Sequence, residues 1–136
     1  MPLFNETSLN ALQGSMRGLG KRHDAATNNL ANVDTPGYKR EVVNFRDELQ
    51  SAMSSEKNGL MSTNEKHFTT EKQDLASFRP SVEKEENTSG RVDENNVDID
   101  AEMSNLAKTS LEYQASSSLV RDHFDRLTTV IDKGGR

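Results

Sequence analysis

Apolar residues recur along the first quarter of the chain at Leu9, Leu12, Met16, Leu19, Ala26, Leu30 and Val33, in steps of three and four with one polar intruder at His23. Such steps place the side chains on one face of an α-helix, as a heptad seam. At about 1.5 Å per residue the segment predicts a helix of roughly 37 Å. Thr7 and Ser8 stand at its start, where hydroxyls accept hydrogen bonds from the free amides of a first turn. Its end is predicted at Asp34-Thr35-Pro36-Gly37. Proline disfavours helical geometry in the residue before it, and glycine takes the positive φ of a type II turn.

The last part of the chain repeats the pattern. Ile99, Met103, Leu106, Ser110, Tyr113, Ser117, Val120, Phe124, Leu127 and Ile131 alternate steps of four and three, which predicts a helix of roughly 50 Å. Asp98, Asp100 and Glu102 stand at the positive end of its dipole, and Lys133, Gly134 and Gly135 close it. Leu111, Leu119 and Val130 widen the stripe and leave a second face for another subunit. Between the two helices, Phe45, Leu49 and Met53 predict one short amphipathic helix. From Ser54 to Asn96 no period is sustained: Phe68, Leu75, Phe78 and Val82 are scattered, and Glu83 to Gly90 reads as solvated loop.

The chain therefore divides into an N-terminal helix and turn (1–39), a short helix with a polar segment (40–98) and a C-terminal helix (99–136). The expected fold is mainly α, with the long N- and C-terminal helices packed as an antiparallel coiled-coil-like hairpin and a largely irregular central segment. In that hairpin Leu9, Leu12, Met16, Leu19, Leu30 and Val33 are expected to face Met103, Leu106, Tyr113, Val120, Phe124, Leu127 and Ile131.

Composition narrows the function. Only 32% of the 136 residues are hydrophobic and 5% aromatic, too little to surround a deep substrate pocket after the entropy of ordering the chain is met. Mean hydropathy is -0.85, and no long apolar run is present. A soluble chain without a membrane-spanning helix is expected, and no cleaved signal is visible in Met1-Pro2-Leu3-Phe4. The net charge of -5 resides in the middle, where residues 40–98 carry eight basic and thirteen acidic side chains. An acidic chain without tryptophan is a poor partner for nucleic acid. The absence of cysteine removes disulfides and thiolate chemistry together.

Asp98, Asp100 and Glu102 have the spacing that opens a calcium loop, but Met103 replaces the required glycine and Thr109 the bidentate glutamate. They are read as a helix start. His23, His67 and His123 are far apart and are read as a seam, a loop and a flank residue. Gly14 and Gly18 stand four apart on an amphipathic helix, where glycine signals local flexibility or a close backbone approach and costs roughly 0.5–1 kcal/mol of helix stability relative to alanine. No phosphate loop, nucleophile motif or paired carboxylates emerge. No enzyme activity, cofactor, metal or small-molecule substrate is expected.

One segment carries more detail than a helix end requires. In Asn28-Asn29-Leu30-Ala31-Asn32-Val33-Asp34-Thr35-Pro36-Gly37-Tyr38-Lys39 the turn accounts for Pro36 and Gly37 but not for three asparagines. Asparagine is a poor helix former whose amide both donates and accepts. Ala31-Asn32-Val33-Asp34-Thr35-Pro36-Gly37-Tyr38 resembles the Ala-Asn-x-x-Thr-Pro-Gly-Tyr signature of the bacterial flagellar axial proteins. A second block, Asn95-Asn96-Val97-Asp98-Ile99-Asp100-Ala101-Glu102-Met103, followed by Leu106-Ala107 and Tyr113-Gln114, is similar to the C-terminal signature of the basal-body rod family. Within that family the short length and the Asn-Asn-Val-Asp block are most like the B-type proximal rod branch, with the C-type branch the nearest alternative.

The resemblance implies a structural subunit of the proximal rod, located in the periplasm-spanning basal body and transmitting motor torque from membrane ring to hook. It implies export in an unfolded state by the flagellar type III apparatus, without a cleaved signal. It implies contacts with other copies, other rod proteins, the membrane ring and the export gate. Asn28, Ala31, Asn32, Thr35, Pro36, Gly37, Tyr38, Asn95, Asn96, Val97, Asp98 and Met103 are the assembly motif carried over from it. The competing class is a soluble helical adaptor or export chaperone, which accounts for the heptads and the charge but for neither signature block.

Overall fold

The computed structural model describes residues 6–57, 75, 78–86 and 91–134; the expectations for Met1 to Phe4, His67, Phe68 and Gly135 lie outside the described residues. Helix α1 spans Glu6–Ala31, so Thr7 and Ser8 lie within its first turn. The exit turn has the geometry that Pro36-Gly37 predicts: Tyr38 N–H donates to the Thr35 carbonyl at 3.3 Å, and Gly37 has a φ of 71°. Val33, the last position of the expected seam, falls in this exit and is half-buried.

Strand β1 (Glu41–Val42) pairs antiparallel with β2 (Glu83–Lys84), Glu41 lying opposite Lys84. The ladder is extended by Glu85 N–H donating to the Arg40 carbonyl at 2.9 Å. The segment read as solvated loop thus begins as a strand, although Glu83 and Lys84 keep their side chains in water. Helix α2 (Phe45–Lys57) follows from the spacing of Phe45, Leu49 and Met53, with Asp47 and Glu48 at its positive end. It runs antiparallel along α1, Phe45 lying over Gly18 and Leu49 over Gly14. Both glycines serve as a close approach: a Cβ at Gly18 would sit 2.2 Å from the Phe45 ring.

Helix α3 spans Ile99–Gly134. Asp98 caps it, its Oδ1 accepting from Asp100 N–H at 3.0 Å and Ala101 N–H at 3.2 Å. Asn29 of α1 meets Glu102, and Arg22 meets Glu112 ten residues further along α3; the numbering runs in opposite senses, so the helices are antiparallel. At about 1.5 Å per residue α3 is roughly 54 Å long and α1 roughly 39 Å.

The hairpin is as expected, but the apolar core lies elsewhere than the seams placed it. The core cluster is Leu19, Ala25, Val43, Phe45 and Phe78, with Leu49 packed against it. It joins α1 to the central segment and contains no residue of α3. Leu19 and Ala26 are buried, while Leu9, Leu12, Met16 and Leu30 are half-buried. On α3 the buried residues are Glu102 and Thr109. Leu106, Val120 and Leu127 are half-buried, whereas Met103, Tyr113, Phe124 and Ile131 are 57%, 43%, 50% and 72% exposed. The physical reason is competition for α1. Its glycine face and Leu19 are taken by Phe45, Leu49 and Phe78, which leaves α3 a polar and small-residue contact. Met103 also stands about 100° around the helix from the inward-facing Glu102. Ile131 lies beyond the level of Glu6, the described start of α1, which the Asn29 and Arg22 pairings place near about residue 125 to 128 of α3.

Candidate functional site

The two motif segments, some sixty residues apart in sequence, meet at the closed end of the hairpin. Three asparagine carboxamides join them, each standing in for a peptide group. Asn29 is fully buried. Its Nδ2 donates to the Glu41 carbonyl at 2.8 Å, and its Oδ1 accepts from Glu41 N–H at 2.8 Å; the side chain pairs with β1 as a neighbouring strand would. Its second N–H reaches Glu102 Oε2 at 3.1 Å, and Tyr38 OH donates to Oδ1 at 3.2 Å. All four hydrogen-bonding positions of the amide are used.

Asn95, also fully buried, directs Nδ2 to the carbonyls of Asn32, Val33 and Thr35 at 3.0, 2.9 and 3.0 Å. Of these carbonyls, those of Asn32 and Thr35 also accept the turn N–H groups of Thr35 and Tyr38, so the amide of Asn95 adds to the turn bonds at the end of α1. Its Oδ1 accepts from Val97 N–H at 2.8 Å. Asn96 completes the ribbon: Arg40 N–H donates to its Oδ1 at 2.7 Å, and its Nδ2 donates to the Glu85 carbonyl at 2.7 Å. Gly37 N–H donates to the Asp93 carbonyl at 2.8 Å, and Lys39 Nζ to that of Glu94 at 2.8 Å.

The charged centre is Glu102, whose side chain is 2% exposed and accepts from Arg40 Nε at 2.7 Å. Arg40 also reaches Glu85 at 3.1 Å. Burial works against the Arg40 charge, but the hydrogen bonds to Glu102 and Glu85 outweigh it and hold its pKa above the ordinary arginine value. Burial, with the nearby charges of Glu41 and Glu102, pushes the Tyr38 hydroxyl up. A second polar bridge lies farther along the hairpin, where Arg46 meets Glu112 at 2.6 Å. Arg22 sits 4.9 Å over the Phe45 ring; burial and then Arg46 lower its pKa, with Glu112 opposing them.

Among the residues named from the motif, Asn32, Tyr38, Asn95, Asn96, Val97 and Asp98 converge here. Asn32 donates to the Asn28 carbonyl at 2.9 Å and accepts from Thr35 Oγ1 at 3.3 Å. Asn28, Ala31, Thr35, Pro36 and Gly37 are exposed on the surface of the turn, and Met103 stands aside from the clasp. Asn29 and Arg40 carry no assignment from the sequence, and Glu102 carries only that of a helix-start charge. The signal was present: Leu19, Arg22, Ala26 and Asn29 follow one another in steps of three and four, so Asn29 lies on the packed face and needs buried partners.

Nothing in this geometry activates a nucleophile or gathers carboxylates around a metal; among the described residues no group of three or more His, Cys, Asp or Glu side chains is placed to hold an ion. No described helix is long and apolar enough to cross a membrane. What the arrangement does is fix two helix ends and a ribbon in one orientation.

Comparison with known proteins agrees with this organisation. The family described as "Flagella basal body rod protein" matches residues 9–39, which cover α1 from Leu9 onward and its exit turn. The flagellar basal body rod protein FlgB of Aeromonas hydrophila is 36% identical over 113 residues, 82% of each chain. That of Bacillus subtilis strain 168 is 32% identical over 134 residues, 98% of this chain and 99% of the relative. That of Escherichia coli K12 is 26% identical over 136 residues, 95% and 96% of the two. With both motif segments joined in one clasp and relatives similar along nearly the whole length, the chain belongs to the flagellar basal body rod protein family, in its FlgB branch.

Proposed function

We propose that the chain is a structural subunit of the proximal rod of the bacterial flagellar basal body, and that its work is mechanical, carrying torque between membrane ring and hook. The observation that carries this reading is the clasp: the two family segments meet to set the angle between two long helices, which is what a load-bearing subunit requires. The exposed apolar residues of α3, among them Leu111, Leu119, Phe124 and Ile131, are surface that neighbouring subunits would cover; burial at roughly 25 cal/mol per Å2 would add stability that the small core of the single chain does not supply. The partners are other rod components, with contacts to the membrane ring and the export gate as a finer part of the same proposal. Delivery through the flagellar type III apparatus fits a chain in which few apolar side chains are buried among the described residues.

In the assembled rod, Asn28, Ala31, Thr35, Pro36 and Gly37 form the outward face of the joint. Replacing Pro36 and Gly37 by alanine should impair motility while leaving export intact; unimpaired motility would count against an assembly role for the turn. The experiment for the function itself is fractionation of detergent-extracted basal bodies after stringent washing. A rod subunit is retained, whereas an adaptor or chaperone is washed away.

A further inference from the structure

The core cluster of Leu19, Ala25, Val43, Phe45 and Phe78 contains no residue of α3, and the buried residues of α3 are the polar Glu102 and Thr109. What ties α3 to the rest is the clasp, with the pairs of Arg22 and Arg46 to Glu112 farther along, and the members of the clasp interlock. Asn29 serves both β1 and Glu102. Glu102 also serves Arg40, whose other nitrogen serves Glu85. Asn96 bridges Arg40 and Glu85, and Asn95 holds the exit of α1. Opening the contacts of Asn29, Asn95 or Glu102, which are buried, leaves a buried polar group without a partner, so states in which the clasp is partly open are disfavoured.

We propose that the clasp is a latch: α3 leaves α1 as one unit when the latch opens, while α1, α2 and the Phe78 segment stay folded. The chain then has a discrete opening below global unfolding, in which the β1–β2 ribbon, the fixed exit turn and the seat of α3 are lost together. Glu102 and Asn29 are the positioning residues of this latch, because Glu102 joins α3 to Arg40 and Asn29, and Asn29 joins α1 to β1 and Glu102.

Native-state hydrogen exchange on the full chain, followed by NMR at increasing low urea, tests this without any substitution. The amides of Gly37, Arg40, Glu41, Glu85 and Val97 are the reporters, since each is bonded within the clasp. They should share one opening equilibrium and one urea dependence, with exchange at least tenfold faster than that of core amides such as Leu19. In Glu102→Ala these five should accelerate by a further tenfold or more in step, although none of their amides bonds to Glu102, while Leu19 is unchanged. Five different opening equilibria would overturn the latch. So would exchange of the five only at the global rate, or acceleration in the variant confined to Arg40. Should Glu102→Ala unfold, the measurement on the unaltered chain decides the matter alone.

Discussion

The packing of α2 on α1 turns on a single hydrogen atom, and Gly18→Ala tests it. A Cβ built at Gly18 lies 2.2, 2.3 and 2.6 Å from three atoms of the Phe45 ring, against about 3.5–4.0 Å for carbon atoms in contact. The overlap exceeds a shift of a few tenths of an ångström. Phe45 is 2% exposed within the core, so the ring has nowhere to retreat except by carrying α2 outward. Two effects compete. Alanine within a helix gains roughly 0.5–1 kcal/mol over glycine. Against that stands overpacking of about 1–3 kcal/mol, or, if the ring is expelled, about 1.5–3 kcal/mol of lost burial and about 0.5–1 kcal/mol for the stacked Arg22. The clash wins, and a net loss of about 1–2 kcal/mol is expected. The neighbouring glycines serve as internal standards. At Gly14 the obstruction is the tip of Leu49 at 2.9 Å, a flexible side-chain end that moves aside, so the gain and loss nearly cancel. At Gly20 nothing lies within 4 Å, and alanine should stabilise by roughly 0.5–1 kcal/mol. Urea unfolding followed by far-ultraviolet circular dichroism reads the order directly as midpoints at constant slope. Gly18→Ala should recover part of its loss when combined with Phe45→Leu. Stabilisation by Gly18→Ala equal to that by Gly20→Ala would refute the packing argument.

Adjacent asparagines should behave differently. Asn29→Ala removes four hydrogen bonds from a buried site and should cost about 2–4 kcal/mol, whereas Asn28→Ala, exposed at the surface, should cost under about 0.5 kcal/mol in the same urea assay. Arg40→Lys keeps the charge but not the fork that serves Glu102 and Glu85 together; a loss of about 1–2 kcal/mol is expected, and an unchanged midpoint would show the fork to be dispensable. Tyr38 has a hydroxyl pKa raised in the fold by burial and by Glu41 and Glu102. The fold therefore favours the neutral phenol, and its contribution is complete below about pH 10, the unfolded value, and is lost as pH rises through the folded one. Tyr38→Phe should be less stable at neutral pH and show a flatter alkaline decline; a decline as steep as that of the unaltered chain would place the effect elsewhere.

Local rules carried much of the architecture. Pro36-Gly37 foretold the exit of α1, Asp98 the start of α3, and the spacing of Phe45, Leu49 and Met53 a helix between them. These features depend on neighbours a few residues away. The seam was read less well, because periodicity says that Tyr113, Phe124 and Ile131 share a face but not which of two rivals occupies α1. Phe78 lies on α1 beside Gly14, brought there by a return of the chain that no local pattern encodes. The clasp was half legible. The family signatures marked Asn95 and Asn96, yet the choice between Asn28 and Asn29 rests on a rotation of about 100° around the helix, and the partner that makes Asn29 essential, Glu102, lies seventy-three residues away. Glu102 was read as a charge favouring the helix dipole, a role its position satisfies while hiding the larger one.

The unequal lengths of the two long helices have a mechanical consequence. Glu102 and Asn95 secure α3 near its first residues, and Glu112 pairs it with Arg22 and Arg46 farther along; the remaining run to Gly134 is a lever of about 33 Å at about 1.5 Å per residue. A tilt of about 5° at the fulcrum displaces its tip by roughly 3 Å, more than half the 5.4 Å pitch of a helical turn. Small differences in how the closed end is seated are thereby magnified into different ridge and groove positions at the far end, where the next molecule in a stack would meet them.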